Sequence, residues 1–298
     1  MKITNKHNVP ETFMALATKE YYSKGESDFS VTEIISSPRI RNLRVKHDDQ
    51  IEVDVSSMVW SLLGQAIHAV LERSGDVEGH TKEERLYAEL DGVILSGAVD
   101  LQYESDGEID ITDFKFTSAW ALKKDKFEWE AQLNIYAWLV ACAKGKRVRS
   151  LKICAIVRDW SNRIAATSEN YPAAPIQMIQ IPLWTMAATE AYIRERLNIH
   201  RNNKVTADWS EELDPCSDDE RWLRETSYAV KKVGGKRAMK VFQIFDEAAK
   251  FQAETKGTEI EVRKGEAVRC TGNYCNVAPW CTQYQAELAA KTEAQTEV

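Results

Sequence analysis

No stretch of this 298-residue sequence is apolar over the roughly 18–20 residues that a membrane-crossing helix requires. The N-terminal MKITNKHNVPETF lacks the apolar core of a secretory signal, so the sequence predicts a protein that stays in the cytoplasm. It holds no Gly-x-x-x-x-Gly-Lys-Ser/Thr loop, so no ATP-driven helicase of that kind is built into it. No period of solenoid length recurs. Excess charge is modest: 39 Lys and Arg against 46 Asp and Glu leave a net charge of −7. This argues against indiscriminate coating of nucleic acid but not against a cleft enzyme, whose field is set by local lysines and arginines. Cysteines number six, and none precedes Cys142. In a reducing cytoplasm they suit metal or buried roles better than disulfides.

What is present fits a globular chain: 44% hydrophobic residues and nine tryptophans, in a length sufficient for an α/β core with an appendage. Residues 1–30 read as a polar lead-in with a short helix over Glu11–Tyr22. The segment from Phe29 to His47 alternates polar and apolar residues, breaks at Ser36-Ser37-Pro38 and ends in a basic stretch. An amphipathic helix is predicted from Ser57 to Ser74, with Ser56 or Ser57 as N-cap. Next come three strand-like runs, ERLYAEL, VILSGAVDLQY and EIDITDFKF, divided by Asp91-Gly92 and Asp106-Gly107. Asp-Gly between such runs signals a tight hairpin turn, so the three form an antiparallel meander.

A helix from about Lys126 to Lys144, a strand LKICAIVRDW, a further strand in IQMIQIPLW and a helix over Thr185–His200 follow. This order predicts an α/β fold with a mixed sheet between helices. Past Glu211 come a Gly234-Gly235 turn, a helix within FQIFDEAAKFQAE and a Cys-rich end. The expected organisation is a core over 1–204 that includes the lead-in, a Cys-rich subdomain over 205–285 and a flexible tail over 286–298.

Asp113 and Lys115 stand two apart on a predicted strand and therefore emerge on one face. Asp100 lies across the hairpin that turns at Asp106-Gly107, beside Asp113 or one step away. Two carboxylates held close repel, and a divalent cation would remove the repulsion; hard oxygen ligands suit Mg²⁺ or Mn²⁺. Taken alone, so common a triplet as Asp113-x-Lys115 fits a surface ion pair on an edge strand better; its flanking context shifts that balance. Gln132 and Tyr136 share a helical face, either meeting substrate or, for Tyr136, belonging to the core. His68, on the upstream helix, is a histidine that would otherwise be structural or solvated.

Together, His68, Gly97-x-x-Asp100, Asp113-x-Lys115 and Gln132-x-x-x-Tyr136 resemble the RecB-like branch of the PD-(D/E)XK nuclease superfamily, over about residues 57–160. The resemblance implies a restriction-endonuclease-like fold. His68, Asp100 and Asp113 would be metal ligands, the Phe114 carbonyl adding another, and the metal Mg²⁺ or Mn²⁺. Lys115 would be the catalytic lysine, acting with Asp100 and Asp113, and Gln132 and Tyr136 the substrate-side pair. Asp113 stands where Glu is commoner. Either Glu83 or Glu84 could also face the site.

Cys270-x4-Cys275-x5-Cys281 sits in one loop, with Cys216 as the natural fourth thiol; Cys142 and Cys154 read as core. Four thiolates suit zinc or an iron–sulfur cluster, and the spacing is not that of a paired C-x2-C ribbon. Similarity to the AddB-like branch favours a [4Fe-4S] cluster, with Zn²⁺ as the alternative. In that branch the remaining cysteine usually precedes the nuclease motifs, which is not so here. Pro38-Arg39-Ile40-Arg41, Arg44-x-Lys46-His47 and Lys123, Lys124 and Lys126 either contact phosphates or form solvated faces. Trp120 and Trp129 read as core or rim packing.

The function implied is a metal-dependent exonuclease acting on duplex ends or single strands of DNA. It resembles phage-encoded recombination, repair or replication nucleases, located in the host cytoplasm. Recombination or replication proteins and further copies of the chain are the partners the resemblance allows, with no membrane. The alternatives are a catalytically silent DNA-end-binding or assembly module and a zinc-stabilised regulatory protein.

Overall fold

The computed structural model describes residues 1–19, 23–123, 127–203 and 213–296. In chain order the first elements are β1 (Lys2–Thr4), α1 (Glu11–Thr18), β2 (Phe29–Ser30), α2 (Val31–Ile35), α3 (Pro38–Lys46) and β3 (Glu52–Asp54). Then come α4 (Val59–Glu72), β4 (His80–Leu90), β5 (Val93–Ser105), β6 (Glu108–Thr117), α5 (Phe127–Lys144), β7 (Arg147–Val157) and α6 (Asn162–Ala165). β8 (Ile176–Ile181), α7 (Met186–Asn202), β9 (Leu223–Arg224), β10 (Ser227–Lys232), β11 (Ala238–Phe242) and α8 (Phe245–Glu254) follow. The last are β12 (Thr258–Arg263), β13 (Glu266–Ala267), α9 (Val268–Thr271) and α10 (Thr282–Thr296). The chain divides into two units: Met1–Ser36 with Glu52–Ala207, and Ser37–Ile51 with Asp208–Val298. The expected boundary at 204/205 and the end of the first helix at Tyr22 fall outside the described residues. No helix among the described residues is long and apolar enough to cross a membrane.

In the first unit, the two Asp-Gly pairs turn as read from the sequence. Asp91 and Gly92 have φ of 52° and 74°, and Asp106 and Gly107 have 55° and 78°. Positive φ at both central residues is the hairpin geometry whose twist matches antiparallel strands. The turns pair Leu90 with Val93 and Ser105 with Glu108, which sets the β4-β5-β6 meander. β7 returns parallel to β6 after the α5 crossover that parallel pairing requires, and β8 adds antiparallel. The result is a six-stranded mixed sheet, β2-β5-β6-β7-β8 with β4 on the other edge of β5, flanked by helices in the restriction-endonuclease-like manner.

One edge of β5 changes partner part-way. Leu101–Ser105 pairs with β6, whereas Leu95 and Ser96 pair with β2. Between them, Gly97 to Asp100 have no ladder partner on that edge, so the sheet forks there.

Helix α5 covers the sheet and is itself covered by α2 and α7. Ala131 through Val140 are all buried, with Trp138, Leu133, Ile135 and Leu139 at 1% exposure or less. A helix apolar on all sides belongs in a core. It lies very close to β5: a Cβ on Gly97 would stand 2.6 Å from Tyr136 Cε1 and 2.9 Å from Leu139 Cδ1. Gly97 is therefore a packing requirement rather than a turn.

Several local readings change. The stretch 31–46, read as alternating and basic, forms two helices instead. Ser30 and Glu33 make a reciprocal capping box on α2, and the Ser37 side chain caps α3 with Pro38 in its first turn. Those cap signals were legible in the sequence. Helix α4 is not capped by Ser56 or Ser57; Asp54 accepts from Ser56 N–H and caps a preceding 3₁₀ turn over Val55–Met58. Cys142 is exposed rather than core, because it sits on the last turns of α5 beyond the buried run.

In the second unit, β11-β10-β12 form an antiparallel sheet on which α8 packs through Val230, Phe242 and Ala248. β9 pairs with β13, and the Cys-bearing segments follow. Helix α3 belongs to this unit. Its Arg39 is 7% exposed, donating from Nε to the Asp214 carbonyl (3.0 Å) and from Nη1 to Thr282 Oγ1 (3.0 Å). Arg39 is thus withdrawn from the phosphate-contacting role open to it in the sequence. His47 stacks on Trp280 at 4.6 Å between centroids.

Replacing Gly97 with Ala should overpack the β5–α5 contact and cost about 1–3 kcal/mol. Thermal or urea denaturation reads this as a lowered midpoint, and an unchanged midpoint would show that α5 does not rest on β5.

Candidate active site

The fork in the sheet is where the sequence motifs meet. Continuing the β5–β6 ladder by one step beyond Leu101–Thr112 would set Asp100 opposite Asp113. Backbone pairing stops there, and a side chain takes over: Phe114 N–H donates to Asp100 Oδ2 at 2.7 Å. On the other edge the β4–β5 register passes from Lys82–Leu101 to Glu84–Val99, leaving Glu83 and Asp100 out of the ladder. Glu83 adopts φ of 49°, a left-handed conformation in mid-strand that a non-glycine residue holds only at a cost of about 1–3 kcal/mol. That kink carries its carboxylate to His68, with Oε1 3.0 Å from Nδ1. Of the two acidic residues left open by the sequence, Glu83 is the one beside His68. Glu84 instead pairs with Lys144 and accepts from Gln102 Nε2 at 2.7 Å.

His68 comes from α4, which packs on β6. Its Nδ1 also lies 3.6 Å from Asp100 Oδ1, and its ring meets Phe114 edge-on. Donor atoms of His68, Glu83 and Asp100 all fall within 4.8 Å of one another. Asp113 is turned the other way. Its Oδ2 is 2.7 Å from Lys115 Nζ, and Lys115 donates to Gln132 Oε1 at 3.0 Å. Gln132 Nε2 donates in turn to Asp113 Oδ1 (3.3 Å) and to the Tyr136 hydroxyl (2.8 Å). Gln132 and Tyr136 are buried and bonded within the protein, at the foot of the lysine. A cavity of about 210 Å³ opens beside the acidic group, lined by Glu83, Asp100, Leu101 and Phe114 with Leu71 and Glu72 of α4.

Negative charge is concentrated at the site. Burial, and then the negative charge of Asp113, push the Asp100 carboxyl up to about 7. His68 is raised, chiefly by its hydrogen bond to Glu83 and further by Asp100 and Asp113. His68 Nδ1 thus faces two carboxylates, a position from which it could share a cation with them. Two oxygen donors and one imidazole fit Mg²⁺ or Mn²⁺.

The second group of predicted residues comes together in the other unit. Cys216, Cys270, Cys275 and Cys281 line one cavity with Arg39 and Arg221. Cys216 and Cys281 are buried, and Cys216 Sγ lies 3.1 Å from Ser37 Oγ. Burial pushes the Cys216 thiol up to about 11, and burial with Cys275 and Cys281 nearby raises Cys270. Four thiols lining one cavity are a donor set of the kind that holds a metal or metal cluster as thiolates. Cys154 is half-buried in β7, away from this set. Lys124 and Lys126, expected beside the catalytic strand, lie outside the described residues. Trp129 packs against the main core, whereas Trp120 is 53% exposed.

The family model of the PD-(D/E)XK nuclease superfamily matches residues 76–282, well over half of the chain. The chain belongs to this superfamily. The matched range takes in the fork of the PD-(D/E)XK core and all four clustered cysteines, while His68 precedes it. Among solved structures the chain is similar to SSO0001, at 16% identity and a TM-score of 0.44, over 63% of this chain and 85% of that one. It is similar to a candidate exonuclease from Eubacterium rectale, at 14% identity and a TM-score of 0.30, over 52% of this chain and 63% of that one. The alkaline exonuclease LHK-Exo from Laribacter hongkongensis matches at 12% identity and a TM-score of 0.27, over 48% and 66% respectively. No curated protein sequence matches the chain. Membership of the PD-(D/E)XK superfamily supports a nuclease, and divalent metals are what that family uses.

A carboxyl whose folded-state value lies near 7 against an ordinary 3.8 costs stability in its ionised form. The cost is absent below about pH 4 and grows as pH rises through the interval to 7. In chelator, Asp100→Asn should therefore stabilise the protein at pH 8 by on the order of 2–4 kcal/mol and leave it unchanged at pH 4. Denaturation at the two pH values checks this, and equal effects at both would contradict it.

Proposed function

We propose that the protein is a divalent-metal-dependent deoxyribonuclease, and specifically an exonuclease that hydrolyses phosphodiester bonds at DNA ends or in single strands. The observation that carries this reading is the pairing of Lys115 with Asp113 and Gln132 immediately beside the His68–Glu83–Asp100 group, at the fork of a PD-(D/E)XK sheet. His68, Asp100 and Asp113, with the Phe114 carbonyl and with Glu83 added, would hold the Mg²⁺ or Mn²⁺. When bound, the metal supplies an acidified water and polarises the scissile phosphate.

Lys115 is the residue that meets the reacting atoms. Its ammonium, held at two points by Asp113 and Gln132, is aimed without further rearrangement and stabilises charge growing on the phosphate oxygens. Water attacks phosphorus in line, the bond to the leaving ribose oxygen breaks, and no covalent enzyme intermediate forms. Gln132 and Tyr136 act on the substrate side through Lys115: the Tyr136 hydroxyl and Asp113 fix the amide of Gln132, and that amide fixes the lysine. Resemblance to phage-encoded enzymes supports a place in recombination, repair or replication, with proteins of those processes or further copies of the chain as partners.

We propose further that Cys216, Cys270, Cys275 and Cys281 bind a [4Fe-4S] cluster, with zinc as the competing occupant. The convergence of all four thiols on one cavity supports a shared centre. Because Ser37 and Arg39 touch Cys216 and Cys281, such a centre would tie helix α3 to the C-terminal segments within its unit.

Turnover of end-labelled DNA in Mn²⁺ should fall by at least 10³-fold in Lys115→Ala, as loss of a preorganised charge of this kind does. Equal activity of the variant and the parent would overturn the assignment of nuclease chemistry to this site. Anaerobically purified protein should absorb in the ~400 nm region and carry iron and sulfide, both lost in Cys216→Ser. Stoichiometric zinc without that absorption would overturn the cluster.

A further inference from the structure

Helix α4 does more than deliver His68. Eight residues before it, Trp60 stands 53% exposed although one face of its indole is already covered: the Arg158 guanidinium carbon lies 4.5 Å from the ring centroid. More than half of the residue's surface nonetheless stays open. Arg158 follows directly on β7, and its N–H donates to the Thr117 carbonyl at 2.8 Å. Thr117 is two residues past Lys115 on β6 and shares its face of the strand. The indole–guanidinium pair therefore lies at the Thr117 end of β6, the end that follows Lys115 along the strand. No carboxylate among the described residues pairs with Arg158, and its neighbour Asp159 accepts instead from Ala119 N–H at 2.7 Å.

Gly64 lies midway between Trp60 and His68, four residues from each. A glycine inside a helix costs roughly 1 kcal/mol relative to alanine. Packing does not call for it here, because a Cβ at Gly64 would meet nothing within 4 Å. It leaves the helix surface bare between the exposed indole and the acidic group. The rise from Trp60 to His68 is about 12 Å, which is about three or four nucleotides at the ~3.4 Å per-strand spacing of DNA.

We infer that Trp60 and Arg158 form a stacking platform for an unpaired nucleobase, about three or four nucleotides from the bond cleaved at the Lys115 site. The inference rests on the nuclease reading and extends it to substrate class. The exposed indole accepts a base, and the guanidinium behind it draws the adjoining phosphate, in a chain whose net charge of −7 otherwise repels DNA. Bases in a duplex offer no free face, so the platform selects single strands or frayed ends. Trp60 is a positioning residue: it sets where the strand stops, and Lys115 does the chemistry.

The test uses single-stranded oligodeoxynucleotides with one abasic site moved stepwise from each end. With the parent protein, an abasic site at one position should raise KM about ten-fold, the size of one lost base–aromatic stack, with kcat little changed. Trp60→Ala should raise KM for the intact strand by a similar factor and respond equally to abasic sites at every position. Trp60→Phe should recover part of the loss, and Arg158→Gln should weaken binding and flatten its salt dependence. A Trp60→Ala protein that keeps the parental abasic profile overturns the platform, as does a loss confined to kcat. If Lys115→Ala proves as active as the parent, the nuclease reading falls separately. Fluorescence polarisation of the labelled strand in EDTA then decides the platform, which is overturned if Trp60→Ala binds as tightly as the parent.

Discussion

Asp100 and Asp113 are held within one ladder step of each other at 8% and 1% exposure, and the arrangement of the first unit is a response to that placement. Two buried carboxylates so close cannot both keep their charge without compensation. The protein supplies compensation on three sides. Phe114 N–H meets Asp100, Lys115 meets Asp113, and the His68 ring faces the Asp100–Glu83 side. Each of these answers carries a cost of its own. The β5–β6 ladder ends early, Glu83 takes a left-handed backbone, and Asp100 resists ionisation until about pH 7.

The same constraint explains why α5 must be both core and site. Its central residues are buried against the sheet and against α2 and α7, which fixes the helix axis. From that fixed axis Gln132 and Tyr136 reach the lysine through two hydrogen bonds. Gly97 lets Tyr136 sit directly on β5, so the glycine three residues before Asp100 serves the tyrosine as much as the aspartate. The motif glycine, glutamine and tyrosine are thus one mechanical part.

In the second unit, the segment 37–51 packs with the C-terminal part of the chain, although five of the six strands of the nuclease sheet intervene in sequence. Its buried Arg39 bonds to the main chain at Asp214 and to Thr282, and Ser37 touches Cys216. Segment 37–51 thus brings polar side chains, Ser37 and Arg39, to the cysteine cavity. Burying an arginine demands that its donors be met, and here they are met by carbonyl and hydroxyl oxygens.

Local chemistry determined much of this protein from sequence alone. Asp-Gly at 91–92 and 106–107 dictates two hairpins, because few other dipeptides accept positive φ twice in a row. Period-two spacing puts Asp113 and Lys115 on one face whatever surrounds them. Ser30-x-x-Glu33 and Ser37-Pro38 equally announce two helices, being interactions between neighbours. What only the tertiary structure decided are contacts between residues that no local rule relates: Glu83 rather than Glu84 beside His68, Arg39 buried instead of exposed, Arg158 over Trp60. Those depend on where strands part and which helix crosses them. Such placements come from packing the whole chain at once, so no window of sequence contains them.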